Sequence, residues 1–162
     1  MMKTKTYIFA YGSNTNVDEL CSGKYGLKRD DLSVIGAAIL QDYEVQFSRY
    51  SAARAGGVLD IVKKEGSLVP GIVLGIDSPE VMEHFDRKEG APDAYQRINC
   101  EPVLADGTKI KAITYEVVSK SGFVAPSSEY LRITCEGLSS FNLSTDHILL
   151  ALDQGLKRSQ KT

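Results

Sequence analysis

The chain has 162 residues, of which 43% are hydrophobic and 25% are charged, so its length and composition predict one folded domain with a packed core. Its formal net charge of −2 gives no electrostatic reason to expect a nucleic acid or an anionic membrane as a partner. The longest apolar runs have the length of a strand, whereas a membrane-spanning helix needs ~20 apolar residues.

The beginning of the chain and its cysteines bear on the cellular compartment. The first residues are polar and lead directly into a strand, without the apolar region of a signal peptide. The three cysteines, Cys21, Cys100 and Cys135, are scattered, odd in number and without the spacing of metal ligands. We therefore expect a reduced, cytoplasmic protein with no metal site.

The first predicted element is an aromatic strand that ends in a turn. The strand starts at Tyr7, reaches Tyr11 and is followed by Gly12, Ser13 and Asn14, after which a helical pattern begins. A small-residue turn between a strand and a helix directs several unpaired backbone N–H groups at one place, which favours an oxyanion. The alternative is an ordinary strand-to-helix turn in which an asparagine caps the helix.

Four short runs predict the next strands, at residues 34–40, 43–48, 58–62 and 71–76. The connection over residues 49–57 carries Arg49, Arg54 and a pair of glycines. Functional loops often have this composition, and a solvated crossover fits the pattern equally well.

The second half of the chain contains the clearest helix and hairpin signals. A helix over residues 79–89 has Ser78 before it, Pro79 at its first position and Gly90 after it. Asp106-Gly107 predicts a hairpin between strands at about residues 95–104 and 109–118. Further helices are predicted at residues 16–21, 126–137 and 144–155, and residues 157–162 are expected to form a frayed tail. About seven strands and four helices indicate an α+β fold with a highly curved mixed sheet or small barrel and helices outside it.

Glu89 is the candidate catalytic residue. On the helix over residues 79–89 it lies four residues after Phe85, on the apolar face, whereas residues 86–88 fall largely off that face. Burial and the negative end of the helix both disfavour a charged carboxylate, as expected for a group that takes up protons in catalysis. The alternative is that Glu89 lies at a frayed helix end, where it reaches water or pairs with Arg97.

Tyr95 and Tyr130 are the aromatic hydroxyls that we expect to share a pocket with Glu89, although both also fit half-buried core positions. Ser13 is not in a G-x-S-x-G motif, and the two histidines, His84 and His147, fit surface positions of helices. No phosphate-binding or dinucleotide-binding loop is present, so no nucleotide cofactor is predicted.

Four motifs together resemble the γ-glutamylcyclotransferase-like family. In chain order they are Tyr11-Gly12-Ser13-Asn14 after an aromatic strand, Gly56-Gly57 ahead of a strand, Phe85-Asp86-Arg87-Lys88-Glu89-Gly90 followed by Tyr95-Gln96-Arg97, and Pro126-Ser127-x-x-Tyr130. Each motif is weak alone, and the specificity comes from finding all four in order up to about residue 137. Phe47-Ser48-Arg49-Tyr50-Ser51 is similar to the bacterial branch of the family.

The resemblance implies a small mixed β-barrel with peripheral helices in a single domain over residues 1–156, and an activity that needs no metal or cofactor. It further implies that the loop of Tyr11, Gly12, Ser13 and Asn14 holds a γ-glutamyl group largely through backbone groups. A glutamate at the position of Glu89 would act as acid and base, with a tyrosine at the position of Tyr130 close to it. Thr15 departs from the family pattern, which usually has an apolar residue after the asparagine.

The predicted reaction is the conversion of a γ-glutamyl amino acid or amine to 5-oxoproline and a free amine, with Tyr95 in the substrate pocket and Arg49 or Arg54 on a substrate carboxylate. A sister activity that removes a γ-glutamyl protecting group in biosynthesis would use the same site. A non-catalytic module that binds a small acidic metabolite is a further alternative. We expect a monomer or a homodimer that acts on a small molecule.

Overall fold

A six-stranded mixed sheet organises the computed structural model, which describes residues 5–160. The strands are β1 (Thr6–Ala10), β2 (Leu32–Ser51), β3 (Gly56–Ile76), β4 (Tyr95–Cys100), β5 (Val103–Leu104) and β6 (Ala112–Val117). They follow the order β4-β6-β1-β3-β2-β5, in which only the pair of β1 and β6 is parallel. Within the described residues the outer strands β4 and β5 do not pair with each other, so the sheet is open and "barrel" describes it only loosely.

Four α-helices accompany the sheet, and the α+β class predicted from the sequence is confirmed. They are α1 (Val17–Leu20), α2 (Pro79–Glu89), α3 (Ser128–Ser140) and α4 (Asp146–Ser159), and short 3-10 turns lie at Ser13–Thr15 and Arg29–Asp31. The core combines residues from the central strands and from the inner faces of the helices, such as Phe9, Ile61, Leu74, Phe85 and Leu138.

The predicted division into seven strands is wrong because two hairpin strands are much longer than their sequence patterns suggest. β2 and β3 pair along nearly their whole length and contain the four short runs predicted at residues 34–76. The pairing shifts register at Asp42, which has a φ of 65° and whose carboxylate accepts a hydrogen bond from the N–H of Gly66 at 3.0 Å. At this point residues 64–67 of β3 are unpaired opposite the single residue Asp42, and the irregularity lets both strands bend and continue, whereas the sequence pattern predicted separate short strands.

The connection predicted at residues 49–57 is also shorter than expected. β2 continues to Ser51 and β3 starts at Gly56, so residues 52–55 alone form the turn. Arg49 therefore lies on a strand, and Arg54 lies in the turn. The glycines bring β3 against the chain ahead of α3, since the N–H of Gly57 donates to the Ala125 carbonyl at 2.9 Å and a Cβ at Gly57 would lie 1.8 Å from the Val124 carbonyl oxygen.

The helix predicted at residues 79–89 is confirmed with the same bounds. Pro79 is its first residue, and Gly90 ends it in the left-handed conformation with a φ of 64°. The Ser78 side chain makes no capping hydrogen bond, in contrast to the prediction. The buried face of α2 contains Val81, Met82 and Phe85, so the helix presents its last turn at the edge of the core.

Helix α3 starts two residues later than the predicted range and also ends later than predicted. The Ser127 hydroxyl accepts a hydrogen bond from the N–H of Tyr130 at 3.1 Å and caps the helix. Gly137 does not end α3, which continues to Ser140. A Cβ at Gly137 would lie 2.5 Å from the Thr15 hydroxyl and from the Asn16 nitrogen, so the glycine allows α3 to pack directly against the Ser13–Thr15 turn.

The last helix, α4, begins two residues later than the position of Ser144 and extends to Ser159. Residues 157–159 of the expected tail are therefore helical. Residues 161 and 162 lie outside the described part of the chain, and so do residues 1–4, on which the expectation about a signal peptide partly rested. No helix within residues 5–160 has both the length and the apolar character needed to cross a bilayer.

Candidate active site

A cavity of about 340 Å³ lies where the end of β1 meets the end of α2 and the turn between β2 and β3. The structure brings all nine predicted site residues to its walls: Tyr11, Gly12, Ser13, Asn14, Arg49, Arg54, Glu89, Tyr95 and Tyr130. These residues come from four separate parts of the chain. Their placement in one cavity agrees with the prediction, while their chemical roles remain to be tested.

The turn after β1 is a firmly held wall of the cavity. The N–H and the hydroxyl of Thr15 donate to the Gly12 carbonyl at 3.0 and 2.7 Å, and Thr15 is fully buried. The N–H of Asn16 donates to the Ser13 carbonyl at 3.0 Å. The first N–H groups of such a turn, which here are those of Ser13 and Asn14, have no partner within the turn itself.

Glu89 lies inside the cavity, at the end of α2. Its side chain is 14% exposed and its Oε1 accepts a hydrogen bond from the Asn14 side-chain nitrogen at 2.9 Å. The Lys88 ammonium lies 3.6 Å from the same oxygen. Arg97 instead binds Asp86 through two hydrogen bonds, at 2.9 and 2.5 Å. Glu89 therefore does not pair with Arg97, and its carboxylate lies in the cavity with Asn14 and not at a frayed helix end.

Only one of the two polar atoms of the Asn14 side chain has a hydrogen-bond partner among the described residues. Its nitrogen donates to Glu89, whereas its Oδ1 is buried and has no hydrogen-bond partner among the described residues. Leaving a buried acceptor unpaired costs ~1–3 kcal/mol. An acceptor of this kind beside a carboxylate suits a ligand group with several N–H donors, such as an amine or ammonium.

Tyr95 and Tyr130 are both buried, and both contact the backbone of Leu59. The Tyr95 hydroxyl donates to the Leu59 carbonyl at 2.8 Å, and the Tyr130 hydroxyl accepts from the Leu59 N–H at 3.1 Å. Burial, with a contribution from the charge of Glu89, raises the pKa of Tyr130 to about 12. Burial also raises the pKa of Tyr95. Both hydroxyls are therefore protonated at neutral pH and can donate hydrogen bonds.

The Tyr130 hydroxyl closely approaches the turn after β1. A Cβ at Gly12 would lie 3.2 Å from that hydroxyl oxygen, which is closer than most side-chain contacts. Glycine at this position therefore allows the phenol to lie against the loop. This contact joins the first and last of the motifs found in the sequence.

A buried carboxylate holds the strand that carries Leu59. Asp60 is fully buried, and it accepts hydrogen bonds of 2.8 Å from the Ser48 hydroxyl, the Val117 N–H and the Lys120 ammonium. These contacts join β2, β3 and the end of β6. They stabilise the backbone to which both tyrosines bind.

The two predicted arginines have different surroundings. Arg54 donates to both carboxylate oxygens of Glu19, at 2.9 and 3.3 Å, and to the Ser13 hydroxyl at 3.3 Å. Burial raises the pKa of Glu19, but the hydrogen bond and charge of Arg54 outweigh it and leave that pKa below its ordinary value. The guanidinium carbon of Arg49 lies 5.8 Å from the centroid of the Tyr95 ring, and Arg49 has no acidic partner within residues 5–160.

Three residues of the site were missed by the sequence analysis. Lys88 has an 8% exposed side chain that contacts Glu89, although its spacing placed it off the apolar face. Tyr25 packs between Lys88 and Arg54, at 4.7 and 6.0 Å from its ring centroid, and its hydroxyl donates to Glu19 at 3.0 Å. Tyr25 lies in an irregular segment without periodicity, and no local signal indicates that it lines the cavity or that Glu19 pairs with Arg54.

A model of the family described as "Gamma-glutamyl cyclotransferase, AIG2-like" matches residues 8–132, which include every predicted site residue. The chain belongs to this family. The resemblance inferred from the four motifs is thereby confirmed. No curated protein matches the chain by sequence.

Several solved structures share the fold of this chain. A protein named gamma-glutamyl cyclotransferase superposes with a TM-score of 0.78 at 23% identity, over 89% of this chain and 84% of that one. An uncharacterised Homo sapiens protein gives a TM-score of 0.77 at 24% identity, over 88% of this chain and 83% of that one. YkqA from Bacillus subtilis gives 0.73 at 22% identity, over 99% of this chain and 55% of that one.

Proposed function

We propose that this protein is a γ-glutamylcyclotransferase that converts a γ-glutamyl amino acid or amine to 5-oxoproline and the free amine. The observation that carries the proposal is the Glu89 carboxylate, which lies inside the cavity and is hydrogen-bonded to Asn14 of the turn after β1. Membership of the cyclotransferase family supports the reaction type.

The nucleophile in this reaction belongs to the substrate. Glu89 takes a proton from the α-ammonium, and the resulting amine nitrogen attacks the γ-carbonyl carbon to form the five-membered ring. Glu89 then returns this proton to the departing nitrogen as the original amide bond breaks. The ring nitrogen gives up a second proton through Glu89 to the released amine, which leaves as an ammonium. The cavity contributes by holding the amine and the carbonyl of one molecule in a folded conformation, which lowers the entropic part of the barrier.

Asn14 orients both partners of the proton transfer. Its side-chain nitrogen holds Glu89 Oε1, and its unpaired Oδ1 accepts a hydrogen bond from the substrate amine. The amine nitrogen is thereby placed between the amide oxygen and the base. A buried acceptor that is unpaired without ligand gains its partner when the substrate binds, so its ~1–3 kcal/mol cost is recovered in the complex.

The negative charge that develops on the γ-carbonyl oxygen needs hydrogen-bond donors. The N–H groups of Ser13 and Asn14 at the start of the 3-10 turn supply them, and each donor of this kind is worth ~3 kcal/mol in known enzymes. The protonated Tyr130 hydroxyl, which lies against Gly12, is a further donor at the same wall. Arg54 acts on this wall indirectly, because it binds the Ser13 hydroxyl while Glu19 satisfies its charge.

The proposal is tested by replacing Glu89 with glutamine and assaying 5-oxoproline formation from a panel of γ-glutamyl amino acids and γ-glutamylamines. The two side chains have almost the same shape, and loss of the acid–base group is expected to lower the rate by ~10²–10⁴-fold. The matched control is Glu83→Gln, since Glu83 is an exposed residue of the same helix. A folded Glu89→Gln protein with wild-type turnover would remove Glu89 from the mechanism, and a wild-type protein inactive on the whole panel would refute the proposed function.

A further inference from the structure

We propose that Arg49 binds the carboxylate of the departing amino acid, so that the cavity prefers γ-glutamyl amino acids to γ-glutamylamines that lack this carboxylate. The inference rests on the proposed function, because it concerns the leaving group of that reaction. In this proposal Arg49 selects the class of substrate and takes no part in the chemical step.

Among the described residues, the charges in the cavity leave one partly buried cation without an anionic partner. Arg54 is neutralised by Glu19, and Lys88 lies 3.6 Å from Glu89. Arg87 is exposed and contacts His84 at 3.1 Å. Among the cavity-lining cations that are partly buried, Arg49 is the one that makes no ion pair within the described residues. A guanidinium in a partly desolvated cavity favours an anionic ligand, and its paired donors match a carboxylate.

The position of Arg49 separates it from the part of the cavity assigned to the γ-glutamyl group. The turn after β1 is already contacted by Arg54, which donates to the Ser13 hydroxyl. Arg49 projects from β2 and lies over the ring of Tyr95, with 5.8 Å between the guanidinium carbon and the ring centroid. Tyr95 is itself fixed by its hydrogen bond to the Leu59 carbonyl. The aromatic ring therefore orients the Arg49 guanidinium, whereas the contact to the oxyanion turn is made by Arg54.

The number of ligand charges is consistent with this assignment. A γ-glutamyl amino acid has two carboxylates and one ammonium, whereas the γ-glutamyl derivative of a simple amine has one of each. The α-ammonium is matched by Glu89, and the α-carboxylate by the hydrogen-bond donors of the turn after β1, to which the Arg54–Glu19 pair adds no net charge. The second carboxylate then has Arg49 as its counter-charge, and a ligand without it leaves that cation unpaired.

A matched pair of ligands separates the two possible roles of Arg49. γ-Glutamyl-alanine and γ-glutamylethylamide differ only in the carboxylate of the departing amine. Binding of both is measured by calorimetry in the Glu89→Gln background, so that neither is consumed, and is repeated after Arg49→Gln. We expect Arg49→Gln to weaken γ-glutamyl-alanine binding by about ten- to a hundred-fold and γ-glutamylethylamide binding by less than about twofold.

Two further variants control for charge and for geometry. Arg132→Gln removes the same charge from an exposed site on α3, where Arg132 pairs with Glu136, and should leave both affinities unchanged. Arg49→Lys keeps the charge and loses the paired donors, so an intermediate loss for γ-glutamyl-alanine is expected. Circular dichroism of each variant verifies that the fold is retained.

Three outcomes of these experiments would overturn the inference. Equal weakening of both ligands means that Arg49 binds the α-carboxylate of the γ-glutamyl group, and no weakening means that it binds neither carboxylate. Wild-type turnover of the two ligands with equal kcat/KM would also overturn the inference, although the proposed function would stand. Conversely, Arg49-dependent binding of γ-glutamyl-alanine without any 5-oxoproline production would refute the proposed function, although Arg49 would still be the residue that binds the second carboxylate.

Discussion

Replacement of Asn14 by leucine should show whether Asn14 serves the activity of the protein or its folding stability. Leucine has nearly the shape of asparagine, but it removes both the nitrogen that holds Glu89 at 2.9 Å and the buried Oδ1 that has no partner within the described residues. In the proposed mechanism both atoms act on the proton transfer. We therefore expect Asn14→Leu to fold normally and to lose most of its activity.

The expected magnitudes follow from the two contacts. A hydrogen bond to a charged group contributes ~1.5–3 kcal/mol, and an unsatisfied buried acceptor costs ~1–3 kcal/mol, so the two effects on folding stability nearly cancel. For a chain of this size 1 kcal/mol corresponds to about 2–4 °C, and the melting temperature should change by less than about 4 °C. Loss of the contact to Glu89 alone should lower kcat/KM by about 10- to 150-fold.

The assays are thermal unfolding and 5-oxoproline release at low substrate concentration, with Asn99→Leu on an exposed position of β4 as the matched control. Because Asn14 is proposed to act through Glu89, adding Asn14→Leu to Glu89→Gln should cost much less than it costs in the wild type. A melting temperature that falls by more than about 10 °C while kcat/KM is unchanged would show that Asn14 is a structural residue. Full additivity of the two substitutions would show that it does not act through Glu89.

Two further predictions concern buried groups. Tyr130→Phe leaves the Leu59 N–H without its acceptor, so a loss of ~1–3 kcal/mol, or several degrees in melting temperature, should accompany a lower rate; an unchanged rate would limit Tyr130 to a structural role. Burial lowers the pKa of His147 to about 4, and a histidine in the unfolded chain has a pKa of about 6.5. Because the unfolded state takes up that proton first, the folded protein should lose stability as the pH falls from about 6.5 to about 4. Melting curves of His147→Gln should decline less over this range, and curves parallel to the wild type would contradict the assignment.

Local signals were sufficient where a feature depends on a few neighbouring residues. Pro79 and Gly90 define the bounds of α2, and the spacing from Phe85 to Glu89 correctly placed the carboxylate on the inner face. Asp106-Gly107 correctly predicted the reversal between the strands on either side, although β5 leaves the hairpin to pair with β2. These features are encoded by backbone preferences and helical periodicity, which operate over four or five residues.

Glycine residues have different structural roles in this chain, and the sequence alone did not distinguish them. Gly90 ends a helix through its positive φ, as predicted, whereas Gly137 lies inside α3 and allows contact with the turn after β1. The same residue type signals a conformation in one place and a close approach in the other. Only the position of the neighbouring chain decides between them.

The sequence was sufficient to predict several residues that line the cavity, whereas only the tertiary structure decided which of them pair with each other. The sequence identified Glu89, Asn14 and both arginines. It did not predict that Asn14 binds Glu89 across 75 positions or that Glu19 neutralises Arg54 across 35. Those partners meet because the long register of β2 on β3 and the packing of α2 bring distant segments to one place. Charge pairing depends on distances of about 3 Å, and linear spacing carries no information on such distances between residues far apart in the chain.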